Sequence, residues 1–161
     1  MSVSIRIARP GDGAAIAALW LDAGSYYAEL DPEHFQIPDI DGLAERIDGS
    51  PGHNHLLVAE ADGDLVGWLS ARLERPAEEA ASQFVREHGW TRVVVDALVV
   101  ARSHWRGGTG TRLLVAAESW GREHSAEVIR LDTYARSPVS VPFYEEHMGY
   151  ARRSIVFQKR L

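Results

Sequence analysis

Apolar positions recur along this chain with two periods, and the switches between them lay out a run of strands and helices. Ser4 to Ala8 alternates as a short strand does, and Arg9-Pro10-Gly11-Asp12 ends it. Asp12 supplies an N-cap side chain for a helix from about Gly13 to Leu30, with Ile16, Leu19, Trp20 and Ala23 on one face. Asp31-Pro32 breaks that helix, a shorter one covers Asp41 to Ile47, and Gly49-Ser50-Pro51-Gly52 is loop. His55 to Glu60 and Leu65 to Leu73 are joined through Ala61-Asp62-Gly63-Asp64, and Asp-Gly favours the left-handed conformations of a hairpin turn. Arg75 to His88 opens on Pro76 and carries a thin apolar stripe of Ala80, Phe84 and Val85, predicting a helix inserted between two strands. Thr91 to Val100 has the β-branched run of a buried strand, and the helix after its glycines reaches about His124. Val128 to Thr133 follows as a strand. Ser137-Pro138 then opens a helix to about His147, Gly149 closes it, and Ile155 to Gln158 is a last strand. The class is α/β, and the early hairpin makes the sheet mixed rather than purely parallel.

Composition narrows this picture. A chain of 161 residues that is 45% hydrophobic is long enough for one compact domain, residues 1–161, with a real core. No apolar run approaches the roughly 18 residues that span a bilayer, and no N-terminal segment has the pattern of a signal peptide. A cytoplasmic chain without a membrane partner is therefore expected. With no cysteine, disulfides, thiolate zinc sites and a cysteine nucleophile are excluded. A formal charge of −6 argues against a nucleic-acid partner, which asks for a broad basic face. The 7 histidines are scattered, with His53 and His55 alone close together and no HExxH, so no metal is expected. Ser50 lacks the Gly-x-Ser-x-Gly frame of a hydrolase elbow. Trp90, Trp105 and Trp120 read as core or site-wall aromatics rather than nucleic-acid platforms.

Candidate chemistry concentrates in Val93 to Leu114, VVVDALVVARSHWRGGTGTRLL, where a strand delivers glycines to a helix N-terminus. Unbonded N–H groups point outward there and the helix dipole adds positive charge, which suits an anion. From Ala97 to Ala117 there is no Asp or Glu, whereas Arg102, Arg106 and Arg112 are present, so a phosphate-bearing ligand is indicated. A P-loop would need a lysine where Gly110-Thr111-Arg112 has none. A dinucleotide fold is offered by Gly108-Thr109-Gly110 with Asp132 closing the next strand. Against it, Leu113 holds the third glycine position, and the residues 101–107 separate strand from glycines.

The segment LVVARSHWRGGTGTRLL resembles the acetyl-CoA-binding motif of the GNAT superfamily of N-acetyltransferases, Gln/Arg-x-x-Gly-x-Gly/Ala after a strand. Trp105 falls at the Gln/Arg position, with Arg106 one place late, and Gly108 and Gly110 at the small positions. The similarity extends over nearly the whole chain. Ile5 to Asp12 resembles the family's opening strand and turn, and Ser137 to Tyr150, SPVSVPFYEEHMGY, resembles its Asn-x-x-Ala-x-x-Phe-Tyr-Glu-x-x-Gly-Phe segment. Ser137 stands for the asparagine, Ser140 for the alanine, and the gap from Tyr144 to Gly149 is one residue longer than the common form.

What this resemblance implies is a GNAT-type acyl-CoA N-acyltransferase fold, with a mixed, mostly antiparallel central sheet flanked by helices. It implies direct transfer from acetyl-CoA, within a ternary complex and without a metal, to a primary amine of a small molecule or peptide. Cofactor contacts fall on Leu98, Val99 and Val100 in the splayed strand, on Trp105, Arg106, Gly107, Gly108, Thr109, Gly110 and Thr111 in the turn, and on Ser137. Tyr144 matches the family tyrosine that protonates the leaving thiolate; its bland alternative is a core aromatic beside Phe143. Asp96, a carboxylate among valines, is either the base for the amine or a paired structural group. Tyr26, Tyr27, Glu29, His34 and Phe35, with Asp31, lie where the family borders its acceptor pocket, and an acidic, aromatic rim suits a cationic amine; an ordinary solvated helix end is the alternative. The family admits a homodimer. The rival function is a CoA-binding regulatory module of the same fold that has lost transfer.

Overall fold

The structure, a computed structural model, describes residues 2–49 and 55–161. The predicted loop residues Ser50, Pro51 and Gly52, and His53, lie outside the described residues. The chain divides into two compact units, Met1–Leu131 and Asp132–Leu161.

The first unit holds a five-stranded sheet in the order β1 (Val3–Ile7), β2 (His55–Ala61), β3 (Asp64–Glu74), β4 (Arg92–Val100), β5 (Val128–Arg130). The first four strands pair antiparallel and β4 pairs parallel with β5, so the sheet is mixed and mostly antiparallel. Asp62 and Gly63 both take positive φ, 52° and 91°, as the two-residue hairpin requires.

Helices α1 (Gly13–Leu30), α2 (Leu43–Asp48) and α3 (Thr109–Glu123) complete this unit. Ile16, Leu19, Val58, Trp68 and Val99 form one buried cluster between α1 and the sheet. Leu113, Leu114 and Ala117 bury the inner face of α3. Close approach explains two glycines: a Cβ on Gly67 of β3 would stand 2.9 Å from the Val99 carbonyl oxygen, and one on Gly121 of α3 would stand 2.7 Å from Val93.

The predicted cap of α1 is replaced. Asp12 precedes the helix, but its carboxylate holds the Arg6 guanidinium at 2.7 and 3.0 Å and accepts the Arg9 N–H at 2.8 Å. Asp48, at the end of α2, accepts the N–H groups of Gly11 and Gly13 instead. A nearby cation outbids the helix for Asp12, and a second carboxylate arrives by tertiary packing.

Two further expectations fail. Arg75 to His88 does not form a helix: only single 3-10 turns appear, at Ala80–Ser82 and Arg86–Gly89. Phe84 is 99% exposed, so the thin stripe finds no surface to bury against, and an isolated helix that short is unstable. Ile155 to Gln158 forms no strand, and Ile155, Val156 and Phe157 are exposed. Without a paired edge, β propensity alone does not make a strand.

In the second unit, the predicted Ser137–His147 helix is short and wide. It comprises α4 (Ser140–Pro142) and a π-helical turn, Phe143–His147. The Met148 N–H reaches back to the Phe143 carbonyl at 3.0 Å, five residues away. That wider turn absorbs the extra residue between Tyr144 and Gly149.

Candidate functional site

The turn after β4 is built from main chain. Arg106 and Gly108 take φ of 61° and 82°, both left-handed, on either side of Gly107. Gly108 then leads into α3, and nothing lies within 4 Å of where its Cβ would stand. The N–H groups of Gly108, Thr109 and Gly110 donate to no acceptor among the described residues. No acidic residue enters the first turn of α3. Bare amides, an absent side chain and no carboxylate are a donor set that fits a diphosphate.

Above this turn the sheet opens. β5 pairs with β4 only at Arg92, Val93 and Val94, so Val95–Val100 has no strand on that edge among the described residues. Leu98, Val99 and Val100 lie along the opened edge. The Val100 carbonyl is taken, however, by the Trp105 indole N–H at 2.8 Å. Trp105 thus ties the turn back onto β4, a bond that the Gln/Arg alignment could not suggest.

Asp96 occupies the middle of the same strand at an irregularity. Ser70 lies opposite Ala97 and Ala71 opposite Val95, so Asp96 is an extra residue on β4. Its carboxylate Oδ1 accepts from Arg72 on β3 at 2.7 Å, and Arg72 also bonds Glu74 at 2.9 Å. Glu74 in turn holds the buried Arg92 at 2.8 Å. The carboxylate among valines is therefore paired, and its partner, Arg72, is set by strand register, which the sequence does not display.

The residues expected at the acceptor rim gather at the end of α1. Tyr26 and Tyr27 lie edge to face at 5.3 Å, Tyr27 packs on Phe35 at 5.0 Å, and His34 meets Phe35 at 4.6 Å. The turn after β4 docks here too. Trp105 lies edge-on to Tyr26 at 5.1 Å, and Arg102 stands 5.3 Å over the same ring. Arg102 also pairs with Asp22 at 3.2 Å and Glu29 at 3.7 Å, so the acid of this rim already faces a cation.

A cavity of 810 Å³ opens elsewhere in this unit, lined by Trp20 of α1, Trp68 and Arg72 of β3, Arg46 of α2, Arg9 and Trp120. None of the expected rim residues lines it. His55, also on its wall, stacks on Trp120 with centroids 4.2 Å apart. Burial, with His124 alongside, holds the His55 imidazole below its usual range.

Within the second unit, Tyr144 sits on the π turn, packed between Phe143 at 5.2 Å and Tyr150 at 6.0 Å. Its carbonyl accepts the Tyr150 N–H at 2.8 Å. Ser137 is buried and its hydroxyl accepts the Ser140 N–H, the first of α4, at 3.0 Å.

A bulged strand thus leaves its parallel neighbour and runs through a left-handed glycine into a helix whose first amides donate to no acceptor among the described residues. The chain belongs to the GNAT acetyltransferase family, whose model, "Acetyltransferase (GNAT) family", matches residues 16–150. In fold it is similar to a tetramutant of the BH1408 protein from Bacillus halodurans, with TM-score 0.84, 20% identity and coverage of 98% of this chain and 99% of that one. A Trypanosoma brucei acetyltransferase matches at TM-score 0.67 and 19% identity, over 99% and 100% of the two chains. The aminoglycoside acetyltransferase AAC(6')-Iy, solved with a bisubstrate analogue of CoA and acetylneamine, matches at TM-score 0.65 and 21% identity over 100% of both. A sequence comparison with curated proteins finds no match. Among the described residues no group of metal-ligating side chains assembles and no helix is long and apolar enough to cross a membrane.

Proposed function

We propose that this protein transfers an acetyl group from acetyl-CoA to a primary amine of a small molecule or peptide, by direct attack with both substrates bound. The observation that carries it is the turn at 106–110. Three amides with no acceptor face the N-terminal end of α3, and Gly108, at φ 82°, leaves them uncovered. Gly108, Thr109 and Gly110 hold the diphosphate, with Arg106, Gly107 and Thr111 beside them.

Bound there, the coenzyme supplies an activated thioester carbonyl. The opened edge of β4 positions it: the N–H groups of Leu98 and Val100, which face away from β3, pair with the pantetheine arm, and one of them polarises the carbonyl oxygen. Trp105 keeps the Val100 carbonyl occupied and the turn in place. Asp96 takes the proton of the amine, directly or through one water, from a position fixed by Arg72. The Tyr144 phenol gives a proton to the leaving sulfur, a task for a group that stays neutral near pH 7.

Thiol release with a panel of amines, alongside acetyl-CoA binding, tests this directly. In Tyr144→Phe, turnover is expected to fall about 10²-fold or more while acetyl-CoA affinity stays near wild type. Absence of both acetyl-CoA binding and CoA release in the wild type overturns the proposal. Retained binding with no turnover on any amine assigns the chain to a non-catalytic coenzyme binder.

A further inference from the structure

We infer that the 810 Å³ cavity beside α1 and α2 seats the acceptor, and that it selects an amine carrying an apolar or aromatic body and a carboxylate. This rests on the acetyl-transfer reading for the word acceptor, but the site itself stands on three separate observations.

The walls are aromatic. Trp20 and Trp68 pack 5.8 Å apart and both line the cavity, with Trp120 also on its wall. The volume falls in the range of small-molecule sites, roughly 300–1,000 Å³. The Trp68 indole N–H is buried and has no hydrogen-bond partner among the described residues, a donor that a ligand or its water can satisfy.

The charge is positive in an acidic protein. Arg9, Arg46 and Arg72 line the cavity against a single carboxylate, Asp48. One Asp48 oxygen is committed to the N–H groups of Gly11 and Gly13, and Arg72 is committed to Asp96 and Glu74. Arg9 and Arg46 form no ion pair among the described residues; Arg46 donates only to the Asp41 carbonyl, at 3.3 Å. Two guanidiniums without an ion pair among the described residues, on one cavity of a chain with charge −6, favour an anionic group, and a guanidinium fork fits a carboxylate.

The cavity also borders the partner of the proposed base, although Asp96 itself is not on its wall. Arg72 lines it and holds Asp96, the bulged residue of β4. Arg9 follows β1, two strands across from β3, a separation of about 10 Å. A ligand lying across that span places its amine by Asp96 and its carboxylate by Arg9 and Arg46. A dipeptide with a free C-terminus and an aromatic side chain has the reach and the charges.

Isothermal titration of the whole protein with Gly-Phe and with Gly-Phe amide tests the inference, because the two differ only in the carboxylate. Gly-Phe is expected to bind at least about tenfold tighter. Arg46→Gln and Arg9→Gln, both at exposed positions, are each expected to lose about fivefold or more for Gly-Phe and to leave the amide unchanged. Equal binding, tighter binding of the amide, or no binding of either by about 10 mM overturns the inference. So does selectivity untouched in both arginine variants. Acetyl-CoA titrated in parallel separates the two proposals: selective Gly-Phe binding without coenzyme binding removes the acetyl-transfer reading and leaves this site.

Discussion

Asp12 shows how one carboxylate does structural work beside a functional region. Hydrogen bonds from Arg6, and then from the Arg9 amide, hold its carboxyl below the ordinary range despite burial. A depressed native value means stabilisation that is complete above the unfolded value, near pH 4, and lost as pH falls through the native one. Asp12→Asn is therefore expected to cost about 2 kcal/mol at pH 7 and much less near pH 2, by chemical denaturation at both pH values. An equal loss at the two pH values counts against the ion pair as its source. Arg72 and Asp96 pose the opposite problem. Neither identity nor spacing in the chain links residues 24 positions apart, and only the bulge in β4 brings them to 2.7 Å.

At the scale of elements, legibility followed how local the physics is. The hairpin turn was readable because Asp62-Gly63 satisfies its positive φ values from within. The span of α1, Gly13–Leu30, was readable from its apolar stripe and the Asp31-Pro32 stop. The segment from Arg75 to His88 carried helix formers too, yet Phe84, the largest residue of its stripe, is exposed and the helix is absent. Phe84→Ser is accordingly expected to change stability by less than about 0.5 kcal/mol and to improve solubility, read from thermal unfolding and the soluble fraction. A loss of several kcal/mol would mean that Phe84 packs in solution. The π turn at Phe143–His147 belongs to the same lesson: one surplus residue, visible in the sequence, became a change of hydrogen-bond register rather than a loop.

For the molecule taken whole, occupancy of the β4–α3 turn is expected to appear as stability. At about 100 times its dissociation constant, a ligand bound only by the native state adds about 2.7 kcal/mol, roughly 5–10 °C for a chain of this size. Acetyl-CoA is expected to raise the wild-type midpoint by that amount and Gly108→Val by none. The valine variant itself stays folded, since open space surrounds the Cβ position, although φ 82° strains a branched residue by about 1–2 kcal/mol. A full shift in the variant removes the turn from the coenzyme site.

Taken alone, the sequence determined the α/β class, the mixed sheet, most strands and helices, and the amide-lined turn where glycines meet α3. These depend on periodicity, turn conformation and missing side chains, all properties of neighbouring residues. Tertiary structure alone decided that Asp48 rather than Asp12 caps α1, that Arg72 holds Asp96, that Trp105 closes on Val100, and that arginines and tryptophans from separate elements share a cavity. Hydrogen bonds and charge pairs of that kind are chosen by distance in space, which strand register and helix packing set and the order of residues does not display.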